Sequence, residues 1–477
     1  MAHADPILIQ GGMGVGVSTW RLARAVAQAG QLGVVSGTAL GLVFARRLQL
    51  GDPGGAMRRA LGHFPLPAVA QRILTRYYVA GGKSTAEPFG ACGGAPGFPL
   101  RPELTELTVA ANFVEVWLAK EGHAGLVGIN YLEKLQLTSL PAMFGAMLAG
   151  ADYVLVGAGI PRAVPAALDH LAAGRVAEMP LDIEGPAGER VSCTFDPAEF
   201  WGGPAPALER PRFLAIVSSA TLAAALLRKS AGAIHGFVIE GASAGGHNAP
   251  PRSGQGLSAR GEPIYGEKDL PDMARFRELG RPFWLAGMRA DPGALAEALA
   301  AGAAGVQVGT AFAFCEESGI DAALKRRVLD KCRAGDIDVF TDPLASPTGY
   351  PFKVLRLAGT LSEQGVYDQR PRTCDVGYLR HPYRKADGTV GFRCPAEPLE
   401  QYAGKEGAAT DSAARVCLCN ALMATAGLGQ VLADGSLEPI ILTAGEDVAR
   451  VARFLRPGCD TYTAADVIRH ILAPQQG

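Results

Sequence analysis

No block of lysines or arginines interrupts this sequence, and its charges nearly cancel: 45 Lys and Arg stand against 46 Asp and Glu, a net charge of −1. Nucleic acids and membrane surfaces therefore lose their main electrostatic attraction, and neither is an expected partner. Aromatic residues are scarce, at 7%. A bilayer-spanning run is lacking too. The longest uncharged stretch near the middle, residues 298–315, is broken by Gly302, Gly305, Gln307 and Gly309, and reads as a helix end followed by a buried strand. The opening Met-Ala-His-Ala-Asp-Pro shows no basic segment followed by an apolar run, so no signal peptide is expected. Nine scattered cysteines, an odd number, predict reduced thiols in a cytoplasm instead of a disulfide framework.

What the chain has is length, apolar residues and glycine. Its 477 residues exceed one small core, 48% are hydrophobic, and 61 glycines are spread along it as many tight strand–helix turns require. Short apolar runs alternate with Ala-rich helical segments, the pattern of a parallel sheet built from βα units. Eight strands are predicted within 7–12, 32–37, 126–132, 153–159, 213–219, 236–242, 282–287 and 305–310. Helix signals follow most of them, such as Ser18-Thr19 before residues 20–29 and Asp291-Pro292 before the next helix. Eight units match an α/β fold of the (β/α)8 TIM-barrel type. The open doubly wound sheet shows the same alternation. It is disfavoured because no Gly-x-Gly-x-x-Gly follows a strand with an acidic residue about 20 positions on; Gly12-x-Gly14-x-Gly16 has the wrong spacing.

Insertions are expected at about 51–105, with a helix near 68–79, and at 175–211, as a short β excursion. The βα rhythm stops at about 316. A barrel over 1–315 and a C-terminal mixed α/β extension over 316–477, carrying clustered cysteines, are therefore predicted.

The segment Glu240-Gly241-Ala242-Ser243-Ala244-Gly245-Gly246-His247 leaves the sixth strand on the barrel face where active sites are built. Gly245 and Gly246 let the backbone approach a flat ligand, and His247 would project beside it, with the side chain best suited to move a proton near neutral pH. Gly287 ends the seventh strand, and Gly309-Thr310 follows the eighth. Loops after the last two barrel strands commonly cradle a phosphate with backbone N–H groups. Gly11-Gly12-Met13 after the first strand offers exposed amides and a soft side chain, and Asn130 on the third offers an amide that donates and accepts.

Together these segments resemble the nitronate monooxygenase family, formerly called 2-nitropropane dioxygenases, over roughly residues 5–320 apart from the insertions. The resemblance implies one tightly, non-covalently held FMN. It assigns the phosphate to Gly246, Gly287, Gly309 and Thr310, the isoalloxazine to Gly11, Gly12, Met13 and Asn130, and the catalytic role to His247. Implied chemistry is oxidation of alkyl nitronates or nitroalkanes with O2 to a carbonyl compound and nitrite, with His247 removing the α-proton of a neutral nitroalkane. Two positions depart from the family pattern: Ser243 where many members are acidic, and Met288 where a second glycine is usual. FMN- and NAD(P)H-dependent enoyl-acyl carrier protein reductases of the same barrel type also carry Gly-Gly-His, so an enoyl-thioester reductase is the alternative. A non-catalytic flavin- or metal-binding protein is a third.

Cys374, Cys394, Cys417 and Cys419 fall within 46 residues. Four thiolates can hold zinc or an iron–sulfur cluster, with His381 a further candidate, although Cys-x-Cys replaces the usual two-residue gap. The alternative is four buried thiols without metal.

Overall fold

The computed structural model describes residues 4–185, 188–252, 254 and 256–474. Met1–His3 of the N-terminal reading, residues 186–187 of the second predicted insertion and the last three residues of the predicted extension lie outside that set.

Eight parallel strands form one sheet: β1 (Leu8–Gln10), β2 (Gly33–Ser36), β3 (Val127–Leu132), β4 (Tyr153–Gly157), β5 (Arg212–Val217), β6 (Gly236–Glu240), β7 (Phe283–Ala286) and β8 (Gly305–Val308). Each pairs with its neighbours in sequence order, β8 returns to β1 through Leu8↔Val306, and Ile9 bridges Leu32 to join β1 to β2. The sheet is thereby closed as a (β/α)8 barrel. Seven of the eight strands fall within the segments predicted from their apolar runs, and β5 begins one residue earlier, at Arg212.

Alternation along the strands separates two cores, because successive side chains point to opposite faces of a sheet. Ile9, Val34, Tyr153, Leu155, Leu214, Val238 and Trp284 pack together inside the barrel. Their neighbours Leu8, Val35, Val154, Phe213, Phe237, Phe283 and Val306 belong to the layer between sheet and helices. Burial on both faces explains the near-continuous hydrophobic runs. The Trp284 indole N–H donates to Pro6 O at 2.7 Å, satisfying the one polar atom of that large ring.

Helices start where the sequence predicts. Thr19 accepts from Leu22 N–H to cap Trp20–Gln28, and Asp291 accepts from Ala294 N–H to cap Pro292–Ala300. Ser18 does something else. Its hydroxyl donates to Gly11 O (2.9 Å) and accepts from Met13 N–H (2.8 Å), which fixes the loop after β1. The first insertion contributes the helices Ala56–Leu61 and Pro67–Tyr77, the second an antiparallel pair, Ala177–Pro180 with Ser192–Phe195.

Beyond residue 315 the chain folds back over the barrel. Helix Ala322–Ala334 leads to an antiparallel pair, Asp338–Asp342 with Phe352–Arg356. The latter strand meets the loop after β6: Lys353 N–H donates to Gly246 O and Asn248 N–H to Pro351 O, both at 2.9 Å. Tyr462 anchors the far end, its hydroxyl donating to Ala311 O at 2.6 Å. Among the described residues no helix is long and apolar enough to cross a membrane.

Candidate active site

The strand ends and the returning chain enclose one cavity. Gly11, Gly12, Met13, Asn130, Gly245, Gly246, His247, Gly287, Gly309 and Thr310 all line it, so the structure brings every residue singled out at the barrel mouth to one place. Close approach is built in at Gly12, where a Cβ would lie 2.3 Å from Asn130 Cβ. At Gly287 the backbone has φ +89°, and a Cβ would lie 2.7 Å from Ser243 Oγ. Met288, where the family pattern has glycine, keeps a left-handed conformation with φ +52°. The turn geometry persists although the residue departs from the pattern.

The returning chain completes the glycine-lined end in a way the barrel sequence did not foretell. Thr443, Ala444 and Gly445 also line the cavity. Gly246, expected to aim its N–H at a phosphate, donates instead to Thr443 Oγ1 (2.9 Å). Thr310 Oγ1 accepts from Gly445 N–H (2.9 Å), which leaves its own O–H free to donate toward the cavity. A Cβ on Gly445 would lie 2.8 Å from Ser243 O, so that contact requires glycine. Gly-rich Thr-Ala-Gly at 443–445 is a weak local signal, and only its packing identifies it.

His247 sits where the loop after β6 pairs with Phe352. Its Nε2 is 2.7 Å from Ser346 Oγ, and its ring lies against Phe352 with centroids 4.9 Å apart. No described residue hydrogen-bonds Nδ1. Burial pushes the imidazole down to about 4, because the apolar wall disfavours the charged ring. At neutral pH it is therefore an uncharged base or donor. Ser346 carries no motif, and nothing local in the sequence points to it.

Two further polar groups line the cavity, Glu240 at the end of β6 and Gln307 on β8. Glu240 is the only acidic residue in the eight strands, and burial pushes its carboxyl up to about 7. An acid ending an apolar run was the available signal. The only lysine or arginine among the described lining residues is Arg289, which is paired with Glu297 at 3.3 Å.

The cysteine reading needs correction. Cys394 and Cys417 pack with Ala396, Cys419 lies against them, and Cys374 is close enough to raise its neighbours' pKa. Yet no group of three or more His, Cys, Asp or Glu side chains placed to hold a metal exists among the described residues. Burial pushes Cys374 up to about 11 and Cys394 to about 12, so the sulfurs are neutral thiols packed as small apolar groups. His381 is satisfied separately, its Nε2 lying 3.1 Å from Pro347 O. Cys419 alone of the four reaches the cavity.

Comparison with known proteins gives the following. The family model described as nitronate monooxygenase matches residues 191–355. Among solved structures, FabK from Thermotoga maritima is similar at 15% identity and a TM-score of 0.45, covering 98% of this chain and 92% of that one. Nitroalkane oxidase from Streptomyces ansochromogenes is similar at 15% identity and a TM-score of 0.46, covering 98% and 95%. No curated protein matches the chain. The segment matched by the nitronate monooxygenase model is the one that carries His247, Gly287, Gly309, Thr310 and Ser346.

Proposed function

We propose that the chain oxidises alkyl nitronates with O2, giving a carbonyl compound and nitrite, with FMN held in the barrel mouth. The residues present fit that cofactor. Glycines line the cavity, where backbone without a Cβ can approach a flat ring or a phosphate, and the buried Oε1 of Gln307 has no hydrogen-bond partner among the described residues. Gly11, Gly12, Met13 and Asn130 would hold the ring, and Gly245, Gly287, Gly309 and Thr310 the phosphate end. When bound, FMN supplies the electron-accepting chemistry.

The observation that carries the reading is His247: neutral, half-buried, and hydrogen-bonded through Nε2 to Ser346. With the ring proton assigned to Nε2, the Nδ1 lone pair is left to receive or share a proton. An imidazole at about 4 is a weak base for pulling a proton from carbon, but it accommodates an anion without a charge of its own to desolvate. A preformed nitronate is thus the substrate this site favours over its parent nitroalkane. An enoyl-thioester reductase must also hold a dinucleotide, and one paired arginine is thin provision for its phosphates. We infer that residues 316–477 cap the barrel and keep water from the reacting atoms. Nine free thiols agree with work in a reducing cytoplasm.

The test is anaerobic mixing of the flavin-loaded protein with a nitronate, its parent nitroalkane and NADPH in turn. Bleaching of the flavin is expected fastest with the nitronate. Bleaching by NADPH alone overturns the proposal in favour of the reductase.

A further inference from the structure

His247 sits at the edge of an apolar wall that the barrel alone does not supply. Its ring rests on Phe352 with centroids 4.9 Å apart, and Phe352 packs in one cluster with Leu418, against which Leu379 and Leu422 lie. Those three leucines also line the cavity, together with Val376 and, from the end of β3 and the loop after it, Leu132 and Leu135. Hydrogen bonds fix the wall in place. Val416 N–H donates to Ala345 O (2.8 Å) and Arg415 Nη1 to Ser346 O (2.7 Å), next to the hydroxyl that meets His247. Asn420 Nδ2 donates to Asp375 Oδ1 (2.6 Å), tying helix Leu418–Thr425 to the segment that carries Val376 and Leu379. Leu132, Leu379 and Leu422 are nevertheless only half-buried. Apolar side chains left uncovered in a cavity gain free energy when an apolar ligand covers them.

Charge is confined to the other side of the cavity. Glu240, Arg289 and Asp447 come from β6, the loop after β7 and the returning segment beside Gly445. The ionisable groups on the wall side are Tyr131, Tyr378 and Cys419, and burial pushes all three up, so they stay neutral. We propose that this wall holds the tail of the substrate: a nitronate with an extended apolar chain, its anionic head at His247, a second charge on the tail being rejected. This rests on the reading that nitronates are oxidised here. Tail preference then belongs to Val376, Leu379, Leu418 and Leu422, beyond the segment matched by the family model, which ends at residue 355. A carboxylate at the end of the tail would lose its water and meet no cation, and an unpaired buried charge is costly.

The test uses straight-chain carboxylates as unreactive mimics of nitronates, since both end in a planar, anionic pair of oxygens. Calorimetric titration of the flavin-loaded protein should show affinity rising about three-fold per methylene from butanoate through hexanoate to octanoate, the worth of burying each methylene. Hexanedioate, equally long but doubly charged, should bind at least about ten-fold more weakly than hexanoate. In turnover, kcat/KM for the nitronate of 1-nitrohexane should exceed that for the nitronate of nitroethane by about 30-fold or more. Leu422→Trp, which fills the space beside the wall, should lower the octanoate-to-butanoate affinity ratio by about five-fold or more. The inference is overturned by equal wild-type affinity along the series or by hexanedioate binding as well as hexanoate, and neither comparison needs a variant to fold. An unchanged ratio in folded Leu422→Trp overturns it too. Length-dependent carboxylate binding with no nitronate oxidised is a different result: it supports the apolar tail site and sinks the reading of the reaction.

Discussion

Ser346 Oγ lies 2.7 Å from His247 Nε2, so a serine 99 residues further along the chain sets the orientation of the barrel's histidine. Ser346 is fully buried, and its oxygen also meets Thr348 Oγ1 at 2.8 Å and accepts from Thr348 N–H at 3.2 Å. With the hydroxyl directed at Thr348, its oxygen accepts the imidazole N–H and leaves Nδ1 unprotonated. The histidine belongs to the barrel, but the hydroxyl that holds its ring comes from the chain that returns over it.

Ser346→Ala should therefore act through His247. The buried N–H loses its acceptor, at roughly 1–3 kcal/mol, and the ring gains freedom to turn. Turnover of a nitronate per encounter, kcat/KM, is expected to drop about ten-fold or more while FMN affinity is unchanged. Ser346→Thr, which restores the hydroxyl, should recover most of the activity. Recovery failing with the fold intact would refute the positioning role.

The titration of His247 gives the stability curve a sign. Its folded-state value of about 4 lies below the ordinary 6.5, so between those values the unfolded chain binds more protons. Stability should fall as pH drops from about 6.5 toward 4, by of order 1–3 kcal/mol once water in the open cavity is allowed for. Denaturant melts of His247→Gln across that window should lack this component.

Glu240 works in the opposite direction. Its carboxyl is raised from 4.5 to about 7, so the folded chain retains a proton that the unfolded chain has released. The associated stability is whole below about 4.5 and disappears as pH rises through 7. Glu240→Gln should flatten the curve on that side without altering the His247 side. A carboxylic-acid C=O stretch lost above about pH 7 in wild type, and absent from Glu240→Gln, would confirm the assignment by infrared difference spectroscopy.

Gly287→Ala is expected to be costly although it adds a single methyl. The residue has φ +89°, and the new Cβ would press on Ser243 Oγ at 2.7 Å. A loss of about 1–3 kcal/mol in unfolding free energy is expected, with weaker FMN binding. In Ser243→Ala/Gly287→Ala the side-chain clash is gone while the backbone strain remains, so partial recovery should be seen in melts. Full tolerance of the single substitution would mean that the turn does not constrain the ligand.

The barrel itself was legible in the sequence because its strands are buried on both faces, and burial on both faces leaves short uninterrupted runs such as Phe213–Val217 and Phe237–Ile239. Helix caps at Thr19 and Asp291 were legible for an equally local reason. The glycines of the mouth and His247 could be read because they sit at strand ends, where the fold dictates what they face. Glu240 was visible as an acid ending an apolar run, but the burial that raises its carboxyl to about 7 was not.

Tertiary structure alone decided the rest. Ser346, Thr443 and Gly445 reach the site from a segment whose order along the chain says nothing about which barrel loop it will cover. The cysteines show the same limit from the other side, since closeness in sequence suggested a metal site and packing made them buried neutral thiols. Periodicity and turn chemistry act over a few residues, whereas contacts between distant segments depend on how whole faces bury one another.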